Sequence, residues 1–161
     1  MTLKIERRPA GAECASILAE LPEWFGIPQS NAEYAEAAER EQAWVADDGG
    51  EPLGLMVLMD TGFSALDVHL LAVRPRVHRR GVGRALIGQA RALAQAAGKP
   101  FLTVKTQGPS AEYEPYERTR RFYEAVGFKG LEEFMQIWGP ENPCLIMVMP
   151  VSDPLASVRS I

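Results

Sequence analysis

The chain has 161 residues, with 17 Lys plus Arg against 21 Asp plus Glu for a formal charge of −4. Its 47% hydrophobic and 24% charged residues are ordinary globular proportions, which exclude a collagenous rod, a coiled coil or a wholly disordered chain. The longest uninterrupted apolar run, Cys144 to Met149, falls far short of the roughly 18 to 20 residues of a membrane-spanning helix.

The N-terminal segment MTLKIERRPA lacks the apolar stretch of a secretory signal. Cys14 and Cys144 stand far apart with no CxxC neighbour, so neither a disulfide framework nor a thiolate zinc site is expected. A reducing cytoplasm is the expected location, with no membrane association and no metal.

Thr2 to Arg7 alternates apolar and charged residues and reads as a first strand stopped by Pro9. Ala12 to Leu21 has helical spacing and ends at Pro22. A second helix is expected through Glu41, capped by Ser30 or Asn31. Ala43 to Ala46 and Leu53 to Met59 flank DDGGEP, a hairpin signature. Ser64 to Val73 is a fourth strand. Gly83 to Ala97 places Leu86, Ile87, Ala90, Leu93, Ala94 and Ala97 on one helical face, stopped by Gly98 and Pro100.

Phe101 to Thr106 reads as a buried strand, Gly108 to Glu114 as a polar loop and Tyr116 to Val126 as a helix ending at Gly127. Leu131 to Trp138 and Cys144 to Met149 close the pattern as strands. The order β-α-α-β-β-β-α-β-α-β-β predicts an α/β fold with a mixed central sheet of about seven strands and helices on both faces. Its central strand-helix-strand unit implies a right-handed crossover. One domain over residues 1–150 and a loose tail over 151–161 are expected.

Charge is unevenly distributed along the chain. Five arginines, Arg74, Arg76, Arg79, Arg80 and Arg84, accompany His78 without an acid between Arg74 and Arg84. From Glu13 to Glu51 ten acids face only Arg40. Local sign is what a ligand would feel.

His78-Arg79-Arg80-Gly81-Val82-Gly83-Arg84 lies between a strand and a helix. Two glycines allow a sharp turn that gathers successive N–H groups at the positive end of a helix dipole, an anion site in construction. A Rossmann fingerprint would need a third glycine where Leu86 stands, and a Walker A loop needs Gly-Lys-Ser/Thr, so neither fits. A helix start with incidental surface arginines is the plainer alternative.

This turn resembles the Gln/Arg-x-x-Gly-x-Gly/Ala pyrophosphate turn of the GNAT superfamily of N-acyltransferases, with His78 in place of the usual Gln or Arg. Arg120 to Phe128, RRFYEAVGF, is similar to the family's Phe-Tyr-x-x-x-Gly-Phe ending, and the element order agrees from Leu3 to Met149. The resemblance implies that acetyl-CoA enters a wedge between Ser64–Val73 and Phe101–Thr106.

It further implies a diphosphate held by backbone N–H groups from Arg79 through Arg84, including Gly81, Val82 and Gly83. The side chains of Arg79, Arg80, Arg84 and His78 would lie around it, with Arg74 and Arg76 raising the field. The pantetheine arm would bond the backbone of Leu71, Ala72 and Val73, the Leu71 N–H acting as oxyanion donor.

Tyr123 matches the family's general-acid tyrosine, although it also suits an amphipathic core position. Asp67 and His69 precede Leu71 at even spacing, on the thioester's face of the strand, and are candidate bases; His69 has the better intrinsic pKa. Both residue types also serve as hydrogen-bonded structural groups. Where family members frequently carry a cofactor-contacting Asn, this chain has Tyr116, to which that role does not carry over.

The resemblance places the acceptor near the first two helices and the late strands. Trp24, Phe25 and Tyr34 lie there with the acidic stretch, joined by Glu132, Glu133, Phe134 and Trp138. A cationic small-molecule or peptide amine with an apolar part fits that composition, whereas solvated helix faces account equally for the acids. The expected reaction is direct attack of a primary amine on acetyl-CoA in a ternary complex. The alternative is a non-catalytic acyl-CoA sensor or interaction module. Nucleic-acid binding is disfavoured because the basic residues are confined to one turn. A monomer or homodimer is left open.

Overall fold

The computed structural model describes residues 2–151; the remainder of the tail expected over 151–161 lies outside the described residues. The elements run β1 (Lys4–Arg7), α1 (Gly11–Ala19), α2 (Pro28–Arg40), β2 (Gln42–Asp47), β3 (Pro52–Asp60), β4 (Ala65–Val73), α3 (Val82–Ala96), β5 (Phe101–Gln107), α4 (Glu114–Val126), β6 (Lys129–Phe134) and β7 (Cys144–Pro150). This is the order read from the sequence. One seven-stranded sheet has the strand order β1-β2-β3-β4-β5-β7-β6.

Two compact units divide the chain, the first formed by residues up to Met59 together with Val68–Ala90 and the second by Asp60–Asp67 together with the residues from Arg91 onward. In the first unit β1 pairs antiparallel with β2, and β2 with β3. The hairpin turn is set by the Asp47 carboxylate, whose Oδ1 accepts the Gly49 N–H at 3.0 Å, and by the left-handed Gly49. Cys14, Ile17 and Leu18 of α1 and Ala38 of α2 share one core with Val45, Leu55, Val57, Leu70 and Ala72. Gly11 permits the close meeting of the two helices, since a Cβ there would lie 3.0 Å from the Ala35 carbonyl oxygen. Its N–H donates to Glu39 Oε2 at 2.9 Å.

α2 begins earlier than Ser30 or Asn31. Ile27 is its N-cap, without a side-chain bond, and a proline occupies the first turn, where no donor is missed. The Asn31 side chain donates instead to the Phe25 carbonyl at 2.8 Å, holding the α1–α2 connection. α4 also starts earlier than expected, for the same reason: Pro115 sits in its first turn.

In the second unit β5 and β6 each pair antiparallel with β7. The first residues of β4 belong here too, where Phe101 donates its N–H to the Ser64 carbonyl at 3.2 Å. α3 is buried along Val82, Leu86, Ile87, Ala90 and Ala94, while Ala97 lies exposed beyond its end. Gly98 adopts φ +69°, and Lys99 N–H closes the helix on the Ala94 carbonyl at 2.8 Å.

The expected strand Leu131–Trp138 is displaced. β6 ends at Phe134, which pairs with Cys144, the first residue of β7. Pro143 precedes that partner, and its carbonyl faces the β5 side, accepting the Gly108 N–H at 2.8 Å. Met135, Ile137 and Trp138 therefore continue an apolar pattern outside the sheet, exposed. Val151, the first residue of the expected tail, is buried, and its N–H donates to the Pro100 carbonyl at 2.9 Å.

Candidate active site

β4 ends at Val73, and a single 3₁₀ turn over Pro75–Val77 leads into the glycine-arginine segment. Arg79 has φ +64° and Gly81 φ +87°, so the chain reverses twice within three residues before α3 starts. A Cβ at Gly81 would meet nothing within 4 Å apart from its chain neighbours and would lie in open space. Ala85 N–H bonds the Gly81 carbonyl at 2.9 Å, the first turn of α3. As at any helix start, the N–H groups of Val82, Gly83 and Arg84 have no carbonyl one turn earlier. The expected cradle is narrower at one position: Arg80 N–H is committed to the Val77 carbonyl at 3.3 Å.

The five arginines separate into two classes. Arg74 is 3% exposed and fully engaged inside the fold. Its Nε donates to the Pro52 carbonyl at 2.6 Å, Nη1 to Glu20 at 2.5 Å and Nη2 to Ser16 Oγ at 3.1 Å. Arg76 pairs with Glu51 at 2.7 Å. Arg79, Arg80 and Arg84 are exposed and form no ion pair among the described residues. Their charge remains available to an anion, whereas the charge of Arg74 and Arg76 is spent on holding β4 to its neighbours.

The residues present fit the diphosphate of CoA. They supply three guanidinium groups without an ion pair among the described residues, the N-terminus of a fifteen-residue helix and a glycine whose side-chain position is open. His78 takes a different part from its companions. Its ring nitrogen Nε2 lies 2.7 Å from the Val73 carbonyl oxygen, which can only accept, so Nε2 carries the hydrogen. The same ring meets Trp24 edge to face, with centroids 6.2 Å apart.

Along β4, Val68, Leu70 and Ala72 are buried, whereas His69, Leu71 and Val73 are more open. The shared side of His69 and Leu71 is as the alternation requires. Asp67 is 9% exposed and accepts the Thr103 hydroxyl at 2.8 Å, which orients one carboxylate oxygen. His69 is exposed, its ring 5.5 Å from that of Tyr34 at a 55° tilt, and Tyr34 in turn meets Phe25 at 5.8 Å. Burial, then the nearby Glu33, pushes the Tyr34 hydroxyl above its usual pKa. All three aromatic residues expected at an acceptor site thus lie against the two histidines, directly or through one another.

The acidic stretch is largely consumed within the fold. Glu13 pairs with Arg8, Glu36 with Arg40, Glu20 with Arg74 and Glu51 with both Arg74 and Arg76. Asp47 holds the hairpin turn and Glu39 the start of α1. Glu133 in β6 accepts both the hydroxyl and the N–H of Ser110. These carboxylates are mostly structural, so the field of the region is weaker than the sequence suggested.

Tyr123 is 5% exposed on α4. Its ring packs against Phe122 at 5.4 Å and edge to face against Phe128, also at 5.4 Å. Its carbonyl accepts the Phe128 N–H at 2.9 Å, closing the helix around the left-handed Gly127. Tyr116 lies in the first turn of the same helix, 6.1 Å from the ring of Tyr113.

Sequence reasoning missed Gly54. A Cβ there would stand 3.0 Å from the Ala72 carbonyl oxygen, 3.1 Å from Val73 and 3.2 Å from Val82. The missing side chain lets β3 approach both the end of β4 and the start of α3. An isolated glycine inside an apolar strand run was the available signal.

Both cysteines are free and buried, and burial raises the Cys14 thiol to about 11. No group of three or more potential metal ligands occurs among the described residues. No helix is long and apolar enough to cross a membrane among the described residues.

A family profile for the acetyltransferase (GNAT) domain matches residues 39–130. A search of curated proteins gives no match. Among solved structures, a protein assigned to the GNAT acetyltransferases from Desulfovibrio desulfuricans superposes with a TM-score of 0.82 at 18% identity, over 94% of this chain and 100% of that one. An aminoglycoside 6'-N-acetyltransferase, solved with coenzyme A, gives 0.73 at 18% identity over 95% and 98% of the two chains. The ribosomal-protein-S18-alanine N-acetyltransferase of Escherichia coli gives 0.69 at 19% identity over 94% and 96%. The profile spans more than half of the chain, including the glycine-arginine turn and the FYEAVGF segment, and the chain belongs to the GNAT acetyltransferase family.

Proposed function

We propose that the protein is an acetyl-CoA-dependent N-acetyltransferase that acts on a primary amine by direct attack in a ternary complex. The observation that carries this reading is the set of three exposed arginines, without ion-pair partners among the described residues, around a left-handed turn at the start of α3. The coenzyme A complex of the structurally similar aminoglycoside 6'-N-acetyltransferase supports it.

Bound acetyl-CoA would supply an activated thioester. Arg79, Arg80 and Arg84 hold its phosphates by charge-assisted bonds, together with the N–H groups at the start of α3. The Leu71 N–H polarises the acetyl carbonyl, and Ala72 and Val73 contribute backbone contacts. An alkylammonium has a pKa of roughly 10 and must lose its proton before attack; in this reading His69, exposed on β4, takes it. Asp67, oriented by Thr103, is the weaker candidate base. The Tyr123 hydroxyl protonates the departing thiolate.

The acceptor is a small-molecule or peptide amine with an apolar part seated on Trp24, Phe25 and Tyr34. Because most nearby carboxylates are paired within the fold, aromatic contact contributes more to its recognition than a long-range negative field. The test is calorimetric CoA binding, with thiol release measured on polyamines, arylalkylamines, aminoglycosides and peptide N-termini. Transfer confined to neutral or acidic acceptors would overturn the amine assignment.

One observation favours a second reading, a non-catalytic acyl-CoA sensor. Tyr123 is buried among aromatic rings, as a purely structural tyrosine would be. CoA binding without turnover on any amine would select it.

A further inference from the structure

His78 stands where the family turn carries Gln or Arg, yet its Nε2–H is directed back to the Val73 carbonyl at 2.7 Å. That bond ties the last residue of β4 to the residue that opens the phosphate turn. Immediately after it, Arg79 adopts φ +64°, a conformation that is unfavourable for a non-glycine residue unless its surroundings hold it. The imidazole and the Trp24 ring also meet in a T-shaped arrangement, with centroids 6.2 Å apart, within the range of favourable ring pairs.

Trp24 belongs to the α1–α2 connection. This segment is anchored by Trp24 N–H and Phe25 N–H on the Leu21 carbonyl, at 3.1 and 2.9 Å, and by Asn31 on the Phe25 carbonyl. Phe25 leads through Tyr34 to His69. One imidazole therefore touches both the turn that presents the free arginines and the segment that presents the acceptor-site aromatics.

The geometry points to His78 as a positioning residue, a latch from Val73 to Trp24 that couples occupancy of the phosphate turn to the arrangement of the acceptor segment. The imidazole does not serve as a phosphate ligand. It fixes the strand-to-turn junction with one nitrogen and supports Trp24 with its ring. A ligand that tightens the turn then restricts the ring, and through the ring Trp24. The inference rests on the reading of the turn as a CoA site.

The experiment uses the full chain carrying 5-fluorotryptophan, with the Trp24 resonance assigned by Trp24→Phe. ¹⁵N spectra of the imidazoles are recorded before and after addition of CoA. Without CoA, His78 is expected as the tautomer protonated at Nε2, with that hydrogen protected from exchange. CoA should shift the Trp24 fluorine signal. His78→Ala should move that signal before any CoA is added, abolish its response to CoA and weaken CoA binding about 5- to 20-fold. His78→Gln, which can still donate to Val73 but has no ring, should restore most of the CoA affinity without restoring the Trp24 response.

If His78→Ala leaves Trp24 unchanged in the CoA-free protein, the latch is overturned; it is likewise overturned, with His78 a direct ligand instead, if His78 Nε2 is protected only when CoA binds. If wild-type protein keeps the Nε2 and Trp24 signatures but binds no CoA at millimolar concentration, the phosphate reading fails and the coupling falls with it. Loss of CoA binding in Arg79→Gln/Arg84→Gln, with both signatures intact, supports the two roles as separate.

Discussion

The guanidinium of Arg74 meets the carboxylate of Glu20 at 2.5 Å, with the arginine almost wholly buried and the glutamate half exposed. Of the five arginines clustered around the turn, this one faces inward, and it joins the end of β4 to α1 and to the β2–β3 hairpin through Ser16, Glu20, Glu51 and the Pro52 carbonyl.

Arg74→Met is expected to cost about 2–3 kcal/mol, because the Pro52 carbonyl and Ser16 lose a charged donor in a buried setting. Urea denaturation would read the loss as a lower midpoint. The same substitution at Arg79 should leave the midpoint within about 0.5 kcal/mol, since an exposed arginine without a partner contributes little to the fold. Equal losses at the two positions would contradict the division of the cluster into structural and ligand-facing arginines.

CoA affinity should show the opposite ranking. Arg79→Gln, Arg80→Gln and Arg84→Gln should each weaken binding several-fold and reduce its dependence on salt, as expected when charge-assisted contacts to phosphate are removed. Gly81→Val should weaken binding more, because φ +87° strains a β-branched residue and its side chain would occupy the open space there. Titration calorimetry at two salt concentrations checks both expectations.

Tyr123→Phe removes a hydroxyl while preserving the ring contacts with Phe122 and Phe128. If that hydroxyl protonates the leaving thiolate, kcat should fall about 100-fold with CoA affinity within about twofold of wild type. Unchanged turnover would leave Tyr123 with its packing role alone. Release of CoA can be followed with a thiol reagent, because Cys14 is buried with its pKa raised to about 11 and should not react in the native protein.

Glu133 is held below the ordinary glutamate pKa of 4.5, first by the Ser110 hydroxyl and then by the Ser110 N–H. Its folded-state value lies below its unfolded one, so its contribution to stability is present above the ordinary value and disappears as pH falls through the lowered one. Ser110→Ala should move the Glu133 titration back toward 4.5 and narrow the acid range over which the Gly108–Ser110 turn stays docked on β6. Carboxyl-carbon NMR titration of both proteins measures the shift directly.

The helix ends that matched expectation did so where a residue type enforces the backbone, as at Gly98 and Gly127, both left-handed. The starts of α2 and α4 moved because a proline is well suited to a first helical turn, and the capping side chain sought at Ser30 or Asn31 was unnecessary. β6 stopped short of Trp138 because strand length is a property of two chains, and its partner begins at Cys144 after a proline. Within the turn, the glycine positions were legible from spacing, but the inward commitment of Arg74 was not.

By itself, the sequence determined the element order, the glycine-arginine turn and the family to which they belong, since these follow from hydrophobic period, glycine placement and local motif. A net charge of −4 also followed from counting, yet counting could not say which charges remain available. Only the tertiary structure decided that, because ion pairs such as Arg74–Glu20 join residues distant in sequence. The same long-range folding brought His78 to the Val73 carbonyl and the Trp24 ring, contacts that its place in the motif did not indicate.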